Sequence, residues 1–522
     1  MAAPTTAACA KTLANPEPST HGPWAGASQS QIESGYQPPS HESWWRRARS
    51  IGIRIVYQHS SYDEEVRDFL SPSCTNENLT CQFLVVGGGL SGLSAAEAAM
   101  TRGLDVVVIE KAALGKEAAS GLNAGQFLTG WAKSVATMLV ELAQQEQERG
   151  LPRDQAQSRA QRRTRAFLRR TIEGCHRLTQ LDHDYNLRAS IRHGAVVAGM
   201  NDADMVGLNA TYDFMEKSDF RALMPIVERR RAPFFRLLTA RELAQRCGTA
   251  DHFYAGGAID YFGGSFRPRK LLNELARSLQ RRGVRIYQNT EAQAFDFSDS
   301  RLTVYCGNGA TIQTNYVFMA NAYARHINGE ALERAIFLYD YVVEVELPNE
   351  LNMLSCESVF SDMRDPCFYA RRHGTHFYMW YEETAETSPK ITRDVARRTL
   401  EEGKRIFHAL RVLTEYDIKS AWSGRVYYTL DNYPFVERKR GGRILTFAAP
   451  SDHGNSLAAR VGQLIGDAIA YSTLQPQGDE TIRQRRRMDR QLKLFEDFPK
   501  GARLRPGMRY QEAASNGSET SD

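Results

Sequence analysis

Glycines 87, 89 and 92, in the stretch "FLVVGGGLSGLSAAEAAMTRGLDVVVIEK" (residues 83–111), carry the spacing GxGxxG, and Glu110 closes the apolar run that follows. Each position has a chemical task in a dinucleotide site. The first glycine makes a tight turn, the second lets backbone approach a pyrophosphate, and the third allows close helix–strand contact. An acid about twenty residues on accepts hydrogen bonds from ribose hydroxyls, and its charge disfavours a 2′-phosphate. The elements needed to hold these groups are legible around them. Phe83–Val86 reads as a buried strand, "LSGLSAAEAAMTRG" as a helix closed by Gly103, and "LDVVVIE" as a second buried strand. Leu90 and Ser91 open the helix and Lys111 follows the acid, so they join Gly87, Gly89, Gly92 and Glu110 as candidate cofactor contacts.

The remainder of the chain suits an α/β protein large enough to bury a sizeable core: 522 residues, 42% hydrophobic, with alternating strand and helix patterns. A net charge of +5 on 66 basic and 61 acidic residues argues against a nucleic-acid partner. Seven arginines in residues 150–170 are expected on a solvated helix face. Eight scattered cysteines without a CxxC pair suit reduced thiols, and no metal site is expected. With neither a secretory signal nor a run of 18 apolar residues, the expectation is a soluble cytoplasmic protein without a membrane span. The case for an organellar address is weak, because the first thirty residues carry no arginine.

Four further segments carry a resemblance. "LGKEAASGLNAGQ" (114–126) is too rich in small residues for an ordinary helix, and its amides are free to meet a second phosphate or a flavin ring. "YVFMANAYAR" (316–325) is a buried strand and turn, "AWSGRVYYTLDNYPFVER" (421–438) contains W-x-G, and "ILTFAAPSDHGNSLAARVGQLIGDAIA" (444–470) is a strand, turn and helix. Together with 83–111 they resemble the D-amino-acid-oxidase-like family of FAD-dependent oxidoreductases, and within it the γ-glutamylputrescine oxidoreductase group, through most of residues 55–475. Against that group's GASGRNGGQ, Ala119, Ser120, Gly121, Asn123, Gly125 and Gln126 agree, while Leu122 replaces an arginine and Ala124 a glycine. The resemblance implies FAD as cofactor, with Ala119, Ser120, Asn123, Gly125, Gln126, Ala292, Ala320, His453, Gly454, Asn455 and Ser456 added to its contacts. His453 and Gly454 match the group's SGHG, whereas Asp452 replaces a glycine and is either an ordinary helix cap or a charge near the flavin that would oppose its reduction. A helix starting near Asn455 aims its free amides backward, toward what Ser451–Gly454 encloses, and the resemblance implies that this end faces the flavin pyrimidine.

The expected fold class is a Rossmann-like FAD-binding domain of glutathione-reductase type with a discontinuous mixed α+β substrate domain. The former takes residues 80–190, 255–330 and 420–475, and the latter 191–254 and 331–419. Residues 1–79 form an N-terminal extension, disordered over its first ~45 residues by its lack of aliphatics, and 476–522 form a basic helical segment and mobile tail. The resemblance implies oxidation of a C–N bond of an amine or amino acid by hydride transfer to flavin N5, giving an imine that hydrolyses. Oxygen or another acceptor would reoxidise the flavin. Candidates for the reaction site are Trp380, Glu382, Glu383 and His453. The two glutamates suit a cationic amine, or they face solvent beside core aromatics. Two other readings stay open: an FAD-dependent monooxygenase or biosynthetic tailoring enzyme, and a non-catalytic flavin-binding protein.

Overall fold

The computed structural model describes residues 56–57, 60–62, 66–72, 74–130, 134–218, 220, 235–297, 301–320, 335–347, 359–364, 367–381, 383–384, 391–429, 433–448, 454–473 and 479–496. The arm 1–45, the end of the tail beyond 496, Glu382, Asp452 and His453 lie outside these residues.

Runs of β-branched and aromatic residues build a first sheet of five parallel strands, in the spatial order Ile444–Ala448, Thr311–Ala320, Asn78–Val86, Val106–Ile109, Arg285–Tyr287. Phe435–Lys439 adds an antiparallel edge beside Ile444–Ala448. Both faces of the central strands are buried, which is why they read as unbroken apolar runs. Phe83, Val85, Val106 and Val108 pack against helices Leu90–Thr101, Pro268–Arg281 and Gly454–Thr473. Their alternates Leu84, Val86, Val107 and Ile109 pack against the ribbon Ala292–Asp296 and Leu302–Cys306. Each of these side chains is at most 1% exposed, and such burial contributes about 1.5–3 kcal/mol apiece.

Helix Gly454–Thr473 lies against Leu90–Thr101 at backbone contact, because Gly462 and Gly466 present no side chain where a Cβ would overlap the carbonyls of Ser91 and Ala95. Ser94 Oγ donates to the Ala459 carbonyl across the same seam at 2.7 Å. The helix Arg153–Tyr185 is solvated along most of its arginines, as expected. Arg163 is instead buried on Glu146 at 2.8 Å, and Arg177 pairs with the buried Glu97.

The second sheet has eleven strands among the described residues. Its main path runs Val56–Tyr57, Ile418–Thr429, Ala335–Glu346, His376–Trp380, Tyr369–His373, Val359–Asp362, Arg192–Gly199, Gly256–Ser265, Gln126–Phe127. Strands Gly256–Ser265 and Ile418–Thr429 pair here, not in the first sheet, although the sequence reading allots their ranges to the dinucleotide unit. Hydrogen-bond partners come from residues far away in the chain, and proximity in sequence carries no record of them. Residues Asp479–Glu496 form a helix rich in arginine. No helix among the described residues is long and apolar enough to cross a membrane.

Candidate active site

Parallel pairing aligns the carboxyl ends of the first sheet's strands, so Gly87, Glu110 and Ala320 reach the same edge. Gly87 turns there with φ of 114°, a conformation open to glycine. A Cβ on Gly92 would overlap the Gly87 carbonyl, so the third glycine lets the helix start against the strand. Gly89 has φ of −71°, which any residue adopts; its requirement is space, since a Cβ would come 3.2 Å from Ser120 Oγ. Being glycine, it also brings no side chain to cap the helix it precedes. Ser120 Oγ meets the Leu90 amide at 3.1 Å.

Glu110 is 5% exposed and accepts from the Gly88 amide at 2.7 Å and the Ala112 amide at 3.3 Å. Burial raises its pKa, against the opposing pull of those amides and of Lys111. Each carboxylate oxygen has a second lone-pair site, so the group keeps capacity to accept from a ribose hydroxyl. The glycine turn, the helix start that Gly89 leaves without a cap of its own and the adjoining acid fit the pyrophosphate and ribose of a dinucleotide. Ala292 is buried just beyond Thr290, whose amide donates to the Glu110 carbonyl at 2.9 Å. Lys111 is exposed and pairs with Glu117 at 2.8 Å.

The small-residue segment forms one helical turn, Ala119–Leu122, followed by extended chain. Its carbonyls are taken by the surrounding protein. Leu122 O accepts from Trp422 Nε1 at 2.7 Å, Asn123 O from Tyr62 Oη at 3.4 Å, and Ala124 O from Arg371 Nη1 at 2.6 Å. Gly125 O accepts from the Phe266 amide at 2.9 Å, Gln126 O from Asn455 Nδ2, and Leu128 O from Ser456 Oγ at 2.9 Å. Asn123 and Asn455 exchange amide hydrogen bonds of 3.3 and 3.1 Å, which ties the segment to the start of helix Gly454–Thr473. Asn123 Oδ1 also accepts from the Gly125 amide at 2.7 Å, holding Gly125 at φ of 81°. Gln126 Nε2 donates to Ala370 O at 3.2 Å.

Anchored in this way, the segment forms one wall of a cavity through Ala119, Leu122, Asn123, Ala124, Gln126, Phe127 and Leu128, with Asn455 at its corner. The second sheet forms the facing wall through Asp340, Val342, Tyr369, Trp380, Gly424 and Val426. Of the residues singled out from the sequence, the structure brings the glycine turn, Glu110, the 119–126 segment, Gly454–Ser456 and Trp380 to this region. Glu383 pairs by backbone with Asp340 on the neighbouring strand. Asp340, Tyr369, Arg371 and Tyr62 were missed, and Trp422 was noted only within its W-x-G segment. Tyr62, Arg371 and Trp422 meet segment 119–128 from 61 to 300 positions away only through folding, although the W-x-G signal pointed at Trp422.

The family described as FAD dependent oxidoreductase matches residues 82–468. Among curated proteins, γ-glutamylputrescine oxidoreductase of Escherichia coli is 22% identical over 407 residues, covering 76% of this chain and 84% of that one. The probable oxidoreductase OrdL of Rhizobium meliloti is 24% identical, covering 74% and 83%. Similar solved structures include glycine oxidase from Geobacillus kaustophilus (TM-score 0.58, 16% identity, 76% of this chain and 96% of that one). Another is L-proline dehydrogenase from P. horikoshii (TM-score 0.61, 16% identity, 77% and 96%), and these likenesses support the fold. From the glycine turn at Gly87 to the helix start at Asn455, the cradle lies inside the matched span, and the chain belongs to the FAD dependent oxidoreductase family.

Proposed function

We propose that the protein oxidises the carbon–nitrogen bond of an amine or amino acid. The observation that carries this reading is the cavity between the anchored segment 119–128 and the face of the second sheet. It adjoins the helix start at Asn455, inside the span that matches the FAD family. Glycine, L-proline and γ-glutamylputrescine, named for the similar proteins, all carry a hydrogen on a carbon next to nitrogen. When bound, FAD supplies a hydride acceptor at N5, and the imine left behind hydrolyses in water.

The chain's own contribution is placement. Gly87, Gly89 and Gly92 would hold the pyrophosphate and Glu110 the ribose. The Gln126 amide and the positive end of helix Gly454–Thr473 would face the flavin and stabilise negative charge developing there. Because the carbonyls of residues 122–126 are already bonded to Trp422, Tyr62, Arg371, Phe266 and Asn455, this wall need not reorganise during the reaction. The cavity walls, apolar on most of their length, would exclude water from the reacting carbon.

The test is anaerobic mixing of FAD-loaded protein with a panel of amines and amino acids while flavin absorbance is followed. Bleaching by at least one compound is expected. If none bleaches the flavin while NADPH does, the monooxygenase reading replaces this one.

A further inference from the structure

The walls of the cavity carry a single formal charge among the described residues, and it is negative. Asp340 is half-buried on strand Ala335–Glu346. Alternation along a strand places every second side chain on one face, and cross-strand register extends that face to the neighbours. Asp340 stands opposite Gly424, and Tyr369 stands opposite Trp380. Tyr369 and Trp380 stack at 4.7 Å with their planes 9° apart, giving a flat aromatic wall in the same cavity as the carboxylate. Gly424 adds no side chain in front of Asp340, and a Cβ there would already come 3.4 Å from Leu122 Cβ.

The facing wall matters as much. Leu122 lines the cavity at the position where the γ-glutamylputrescine oxidoreductase pattern has arginine, so this chain holds an apolar group where that pattern has a cation. Arg425, next to Gly424, belongs to the other face of its strand and donates to Tyr339 Oη at 2.7 Å. Arg371 is 1% exposed behind the segment, with Nη1 on Ala124 O, and does not line the cavity. A substrate carboxylate would therefore meet Asp340 with no cation among the described residues of either wall, whereas an ammonium would find a carboxylate and aromatic rings.

Resting on the amine-oxidation reading, we propose that Asp340, with the Tyr369–Trp380 pair, is a subsite for a second cationic group. The substrate is then a diamine or polyamine lacking a carboxylate, anchored by one ammonium while the other nitrogen reacts. Asp340 takes no part in the bond changes; it selects and orients the substrate.

The experiment measures affinity without turnover, by calorimetry on photoreduced FAD-loaded protein, with 1,4-diaminobutane, butylamine and 4-aminobutanoate as probes. The expected order is diamine tightest, ahead of butylamine by about ten- to a hundredfold, the range of one charged hydrogen bond, with the amino acid weakest. Asp340→Asn should erase the diamine's advantage while leaving butylamine unchanged, and Leu122→Arg should weaken the diamine and tighten 4-aminobutanoate. The proposal is overturned if diamine and butylamine bind wild type within twofold of each other, if 4-aminobutanoate binds as well as the diamine, or if Asp340→Asn keeps the preference. Should Asp340→Asn fail to load FAD, the three probes on wild type and on Leu122→Arg still decide. Anaerobic bleaching by the same diamine tests the reaction separately: tight, Asp340-dependent binding without bleaching sinks the oxidation reading, and bleaching without Asp340 dependence sinks the subsite.

Discussion

At the scale of single residues, the site depends on side chains that are absent as much as on those present. Gly89 has an ordinary backbone, so its value lies in the space a phosphate would take. Gly89→Val is expected to weaken FAD binding by about a hundredfold or more, on the order of 2.7 kcal/mol, with the fold intact. Fluorescence titration of FAD into apoprotein, beside far-UV circular dichroism, checks this, and stoichiometric FAD in the variant as purified contradicts it. Glu344 offers a residue-scale test of a different kind. Its fully buried carboxylate accepts from His376 Nδ1 at 2.6 Å and Ser420 Oγ at 2.5 Å. Burial alone would raise its pKa, but the His376 and Ser420 hydrogen bonds lead the effects that outweigh it and hold the pKa below the usual value. A depressed pKa means that the folded state favours the charged form. Its stabilisation is therefore full above about 4.5, the ordinary glutamate value, and is lost as pH falls below it. Glu344→Gln should cost about 1–3 kcal/mol at pH 7 and show a shallower loss of stability between pH 5 and about 3. Urea titrations at those pH values check both; equal slopes for wild type and variant would refute it.

At the scale of elements, the seam between helices Leu90–Thr101 and Gly454–Thr473 sets the distance between the glycine turn and the helix start at Gly454. Gly462 and Gly466 allow backbone contact that no other residue permits at those places. Gly466→Val should force the helices apart, costing about 1–3 kcal/mol or more in denaturant stability. It should also weaken FAD, because displacement of Asn455 breaks its exchange with Asn123. Ser94→Ala, which removes only the 2.7 Å bond to Ala459 O, should cost about 1 kcal/mol and leave FAD affinity unchanged. Equal FAD loss in both variants would show that the seam is not what positions the site.

At the scale of the whole molecule, the cradle joins strands and helices from residues 78 to 473, so a bound dinucleotide would hold the two sheets to each other. FAD at a hundred times its dissociation constant should stabilise the apoprotein by about 2.7 kcal/mol, raising the midpoint of urea unfolding. None of the described cysteines lines the cavity, five of them being buried elsewhere. The flavin should accordingly leave on acid precipitation, and yellow colour kept in the pellet would contradict non-covalent binding.

The glycine turn, the βαβ order and Glu110 were readable in one sequence because all their physics is local. Positive φ, helix start and strand periodicity are decided within about thirty consecutive residues. The 119–126 segment was also legible by its small residues, and Leu122 as a departure from the family pattern. Apart from Trp380, which its aromatic and acidic segment singled out, no local signal carried the second wall. Asp340, Tyr369 and Trp380 stand on three different strands, and their common face depends on register among Ala335–Glu346, Tyr369–His373, His376–Trp380 and Ile418–Thr429. A shift of one residue in any of these pairings would turn that strand's side chains to the opposite face. The same holds for Arg371 and Trp422, which meet carbonyls of the segment 247 and 300 positions away. Short-range chemistry in the chain thus determined that a dinucleotide is bound. Long-range strand register alone decided which charge the cavity presents, because a face exists only once separate strands have paired.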